Sequence, residues 1–184
     1  YGEDLLAGGD VVPHEPLQPI VRWRSRITQI KRIPAGARVG YGRTWIAERD
    51  TVLGLVPVGY ADGYPRSLGT SMPREVHAQV GVLASVDDTP SYAPVVGAVN
   101  MDQITVDLTD LAARDDLDVA IDSAVELISG EPDAPNALPA LARLAGTIPH
   151  ELMCRLDPKI RRVGRSEQPL IETVAARERV RSFS

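Results

Sequence analysis

Cysteine is almost absent: Cys154 stands alone in 184 residues, so no internal disulfide framework can staple the fold. Histidine is nearly as scarce. His14, His77 and His150 are widely separated, and the single thiol has no partner at ligand spacing, so no metal site is expected. The chain contains no apolar run long enough to cross a bilayer and no amino-terminal signal pattern, which makes a cytoplasmic protein without a membrane partner the expectation. Positive charge is in deficit as well. Lys and Arg number 20 against 25 Asp and Glu, for a net charge of -5, whereas a general nucleic-acid binder needs an excess of cations to meet phosphates. What is present is a 43% apolar composition, enough for one globular domain with a hydrophobic core.

Residues 1–19, with Gly8-Gly9, Pro13 and Pro16, carry turn formers and read as a leading linker. From Ile20 the composition changes. Residues 20–30 alternate β-branched residues with Arg22, Arg24 and Arg26, as expected of a strand with one wet face. A turn at Pro34-Ala35-Gly36 precedes candidate strands at 37–42, 44–47 and 51–58, and a loop after Tyr60 holds Gly63, Pro65, Gly69 and Pro73. Strand composition resumes at 76–84 and 94–108, separated by a turn at Asp87-Asp88-Thr89-Pro90. Helix signals come late. Asn136 is placed to cap a helix over 137–144, in which Leu138, Leu141 and Leu144 recur at helical spacing and which Gly146 closes. Thr147 is placed to cap a further turn beginning at Pro149, followed by a basic strand toward Val163. Residues 166–184 read as a helical or frayed tail. Many strands without crossover helices exclude a doubly wound parallel sheet. The expected fold is mainly β, a closed or nearly closed antiparallel β-barrel with a few short helices late in the chain.

Four segments carry groups suited to chemistry. In Val39-Gly40-Tyr41-Gly42-Arg43, glycines flank a tyrosine that either packs at a strand bend or projects from a turn. A phenol with a reference pKa of about 10 needs a cation or hydrogen bonds to act as a base at neutral pH. Residues 56–66 end an apolar strand in a loop bearing Tyr60, Asp62, Tyr64 and Arg66, where Asp62-Gly63 is also an ordinary turn pair and Arg66 is suited to clamp a carboxylate. Asn100-Met101-Asp102-Gln103 interrupts a β-compatible run, either as a bulge or as the wall of a pocket. In the last segment His150 follows Pro149 in a first helical turn, a position that favours anions such as phosphate.

Taken in this order, the four segments resemble the carboxy-terminal domain of the alanine racemases, from about Val21 to Val163, so that residues 20–165 would form that domain. Tyr1-Gly2-Glu3 resembles the end of the family's preceding barrel domain, which implies that the pyridoxal phosphate barrel is not in this chain. The resemblance implies a homodimeric parent enzyme that interconverts L- and D-alanine for the peptidoglycan cell wall, each β domain meeting the partner subunit's barrel. Lys31 and Lys159 do not resemble the cofactor lysine, so no covalent cofactor attachment is implied here, and the isolated chain is expected to be inactive. Matched position by position, Tyr41 falls on the catalytic tyrosine, which works on the face of Cα opposite the cofactor lysine. Tyr60 falls on a tyrosine that narrows the substrate corridor, Arg66 on a corridor arginine, and Met101 on a residue whose backbone meets the substrate carboxylate, with Asp102 as its support. His150 stands where the family usually has a phosphate-binding tyrosine, and Ala98 where arginine is frequent. The first substitution shortens the reach to phosphate. The second opens a serine or broad-specificity racemase as an alternative, beside a non-catalytic β-barrel binding module in which these residues line a partner surface.

Overall fold

The computed structural model describes residues 19–69, 77–83 and 89–164; the expected linker before Pro19, the first half of the turn at 87–90 and the tail from Arg165 lie outside the described residues. Nine strands are present among those described: β1 (Trp23–Arg26), β2 (Gln29–Ile33), β3 (Arg38–Val39), β4 (Trp45–Ile46), β5 (Thr51–Val56), β6 (Gln79–Leu83), β7 (Ser91–Val96), β8 (Ile104–Asp107) and β9 (Ala124–Ile128). Three helices join them, α1 (Thr109–Ala112), α2 (Leu138–Ala145) and α3 (Pro149–Arg155).

Seven strands form one antiparallel sheet in the order β1-β9-β6-β7-β8-β5-β2, while β3 and β4 form a separate hairpin. The two edge strands of the large sheet are consecutive in sequence. Only Ile27 and Thr28 separate them, so the sheet has to curl until its edges approach. The joint is held from both sides: the Ile27 amide donates to the Ser123 carbonyl at 3.0 Å, and the Thr28 amide to Leu55 at 2.8 Å. A half-barrel results, in keeping with the expected architecture. The single strand read over 20–30 is in fact two, because one straight strand cannot serve both edges of a curled sheet.

Inside the curl, alternate residues of successive strands meet: Val80 and Val82, Ala93 and Val95, Ile104 and Val106, Val125 and Leu127 all belong to one buried cluster. Leu111 of α1, Leu138 and Leu141 of α2 and Leu152 of α3 join it, so the helices cover the same core. Each such side chain contributes about 1.5–3 kcal/mol on burial. On the opposite face of β9, Glu126 is 2% exposed and accepts the guanidinium Nε of Arg22 and of Arg24, each at 3.1 Å. The face expected to be wet is thus spent on a buried carboxylate, whose charge needs such partners.

The late helices differ in their caps. Ala137, not Asn136, is the N-cap of α2; Asn136 is fully buried and its side-chain amide donates to the Glu126 carbonyl at 2.8 Å, tying the preceding loop to β9. Ile148 rather than Thr147 caps α3, since the Thr147 amide is taken by the Ala142 carbonyl at the end of α2. No strand forms at 159–163; instead Asp157 closes a turn by accepting the Lys159 amide at 2.7 Å. Helical turns also occur earlier than expected, in α1 and in 3-10 turns at Tyr41–Arg43, Tyr60–Asp62 and Arg66–Leu68. They are too short to leave a periodic pattern.

Candidate active site

The strand pairing decides where the loops go. Val56 at the end of β5 pairs with Ile104 at the start of β8, and Val96 at the end of β7 with Thr105, so the segments after β5 and between β7 and β8 leave from one end of the sheet. They are then fastened backbone to backbone. The Tyr60 amide donates to the Asn100 carbonyl at 3.0 Å and the Ala61 amide to the Met101 carbonyl at 2.9 Å. A side chain at Gly59 would not fit, because a Cβ there would lie 2.3 Å from the Met101 carbonyl group. On the other side of the same loop, Gly40 takes a φ of 80° and brings the β3–β4 hairpin so close that a Cβ would sit 2.9 Å from the Ala98 nitrogen. An L-residue resists that backbone conformation as well as the contact. The fourth segment arrives through the exit of α3, where the Asp157 amide donates to the Asp62 carbonyl at 3.1 Å.

This convergence sets Tyr41, Tyr60, Arg66, Met101 and Asp102 on one rim. Tyr41 opens the 3-10 turn at the hairpin tip and is 78% exposed; Met101 is 56% exposed and Tyr60 46%. Asp102, next to Met101, is also exposed. Arg66 lies over the Tyr60 ring, its guanidinium carbon 5.6 Å from the centroid, an attraction of about 0.5–1 kcal/mol at an exposed position that also fixes where the cation stands. Tyr60, Arg66 and Met101 are thus brought together directly, and Tyr41 joins them through the hairpin's packing on Gly97 and Ala98. His150, half-buried as the second residue of α3, is linked to the group through the far end of its helix.

The two tyrosines of the 56–66 loop part company. Tyr64 is 1% exposed, packs on Trp23 with ring centroids 6.2 Å apart, and its hydroxyl has no hydrogen-bond partner. Burial pushes its phenol well above the usual tyrosine range, which holds it neutral and unsuited to proton transfer. Sequence reasoning does not single out Gly59 or the Asn100 carbonyl, although they fasten the rim; a backbone acceptor leaves no signature of its own in the residue string. A groove of about 460 Å³ lined by Arg32, Pro34, Asp50 and Thr109 lies at the opposite end of β5, and none of the candidate residues line it. Among the described residues no cluster of three His, Cys, Asp or Glu side chains is arranged to hold a metal, and no helix is long and apolar enough to cross a membrane. What the rim offers is phenols, a guanidinium and backbone groups, a set suited to moving a proton and to orienting a small carboxylate.

Residues 20–164 match the family model described as alanine racemase, C-terminal domain. An alanine racemase of Lactobacillus acidophilus is 34% identical over 157 residues, which cover 85% of this chain and 36% of that protein. Among solved structures, an alanine racemase from E. faecalis superposes with a TM-score of 0.68 at 30% identity, over 90% of this chain and 39% of that one. One from Bartonella henselae with covalently bound pyridoxal phosphate gives 0.66 at 30% identity, over 82% and 36%. The chain therefore spans little more than a third of the length of the relatives it matches.

Proposed function

Since the chain belongs to the alanine racemase family through that carboxy-terminal domain, we propose that it supplies the proton-transferring tyrosine, Tyr41, to a pyridoxal phosphate-dependent site completed by a cofactor-bearing barrel of a partner subunit. The observation that carries this reading is the rim itself. Tyr41, Tyr60 and Met101 stand exposed on loops locked by backbone hydrogen bonds, an arrangement that presents rigid side chains to something outside the chain. Aromatic and thioether surface left in water at a fixed site is characteristic of a binding face.

Pyridoxal phosphate, when bound, would withdraw electrons from the substrate Cα and make its proton acidic. Lys31 lies on the edge strand β2 and Lys159 in the turn after α3, and neither segment resembles the family's cofactor-lysine motif, so this chain is read as touching the cofactor without holding it covalently. Tyr41 takes or returns the α-proton on one face of the substrate, and a base from the barrel serves the other. Tyr60 and Arg66 narrow the corridor, the Met101 backbone with Asp102 behind it meets the alanine carboxylate, and His150 donates to the cofactor phosphate. The complete enzyme is a cytoplasmic homodimer supplying D-alanine for peptidoglycan, with residues 20–165 as its β domain. Tyr41→Phe in the full-length protein keeps the ring and removes the proton carrier; turnover is expected to fall about 100-fold or more in both directions. Unchanged turnover would overturn the assignment.

One observation favours a wider substrate range. Ala98, whose backbone nitrogen abuts the Gly40 turn, carries only a methyl side chain, so that this position itself brings no cation to the rim. A kcat/KM for serine within about tenfold of that for alanine would support the broader reading.

A further inference from the structure

We propose that Asp62, a residue touching neither substrate nor cofactor, is the positioning residue that sets Tyr60 and the Met101 backbone in register and couples them to the α3 segment. This rests on the function proposed above. Three contacts converge on it. Its carboxylate Oδ2 accepts the Gly59 amide at 2.8 Å, and its own amide donates to the Gly59 carbonyl at 3.1 Å, so the Tyr60–Asp62 turn is clamped reciprocally. Its carbonyl accepts the Asp157 amide at 3.1 Å, which anchors the segment leaving α3.

Between the clamped ends lie the two amides that grip the neighbouring loop, Tyr60 on Asn100 and Ala61 on Met101. Their direction depends on the turn. Gly59 runs extended at φ -141° and, being glycine, has no side chain to fix its conformation, so the Asp62 carboxylate that accepts its amide orients the entry to the turn. Asp62 is half-buried, which strengthens a charge-assisted hydrogen bond relative to one in open water. Shortening it to alanine releases Gly59, lets Tyr60 and Met101 drift against each other, and loosens the grip on α3. The need is for an acceptor at that place, not for a negative charge, since an asparagine side-chain oxygen caps a turn about as well.

The test uses the full-length protein with Asp62→Ala and Asp62→Asn, read by residue-resolved amide exchange and by steady-state kinetics with alanine. Asp62→Ala is expected to speed exchange at Gly59, Tyr60 and Ala61 about tenfold or more while Val80 and Val95 stay protected, and to raise KM for alanine by a larger factor than it lowers kcat. Asp62→Asn is expected to restore both to within about threefold of the parent. Wild-type exchange at Tyr60 and Ala61 in Asp62→Ala overturns the proposal, as does an Asn variant as impaired as the Ala variant, or faster exchange with unchanged KM. Should the parent fail to racemise alanine, the functional reading above falls while the exchange arm still decides whether Asp62 sets the turn.

Discussion

The interior of the sheet and the rim beyond β5 face different tasks. Along the sheet, Val56, Ile104, Val80 and Leu127 are entirely withdrawn from water, and their neighbours on successive strands share one core. Past Val56 the chain does the reverse: Tyr60, Met101 and Tyr41 stand outside, Tyr41 at 78% exposure, although backbone hydrogen bonds tie the Tyr60 and Met101 loops together and close the turn that bears Tyr41. Stability and presentation have been assigned to different atoms. The sheet is filled by side chains; the rim is held by main-chain groups, glycines and the Asp62 carboxylate, which leaves Tyr41, Tyr60 and Met101 to face outward.

If that division is right, substitutions in the sheet and on the rim differ in kind. The largest effect belongs to the sheet. Leu127→Ala, at a fully buried position, is expected to cost about 2–5 kcal/mol in a denaturant titration. A cost below about 1 kcal/mol would place the core elsewhere. Tyr64→Phe tests the boundary between sheet and rim. Its hydroxyl is buried without a partner, so removing it is expected to stabilise the fold by about 1 kcal/mol, measurable as a higher denaturation midpoint. The same change has a pH signature. Because the folded phenol titrates above the unfolded one, the native protein holds its proton where the unfolded chain has lost it, and stability declines as pH rises above about 10. That part of the decline should vanish in Tyr64→Phe; a parallel decline in both proteins would contradict it. The smallest effect belongs to the rim: Tyr41→Phe is expected to leave stability within about 0.5 kcal/mol of the parent, whatever it does to turnover. A Tyr41→Phe protein with a markedly lower midpoint would show a packed aromatic and erase the contrast.

Much of the sheet is legible in the residue string. The β-branched runs that become β5, β6 and β8 mark themselves by composition, and Leu138 and Leu141 mark the buried side of α2. Several of the misreadings share a physical cause. The break at Ile27 depends on carbonyls of Ser123 and Leu55, Arg24 is neutralised by Glu126 across 102 positions, and Asn136 serves β9 instead of the helix it precedes. Partners so distant leave no local trace. The same holds for the rim: the segments around Tyr41, Tyr60, Met101 and His150 are visible as a series, whereas the docking of Tyr60 on Asn100 and the placement of Arg66 over Tyr60 follow only from the strand order that delivers them.

The central claim, that Tyr41 serves one face of Cα and a second base the other, is tested most directly by α-proton exchange in full-length Tyr41→Phe protein. In heavy water, deuterium incorporation is followed separately from L-alanine and from D-alanine. The account predicts that exchange persists from the enantiomer whose proton the second base removes and is lost from the other, with racemisation abolished. Exchange retained from both enantiomers, or lost from both in a protein that folds and binds cofactor, would contradict it.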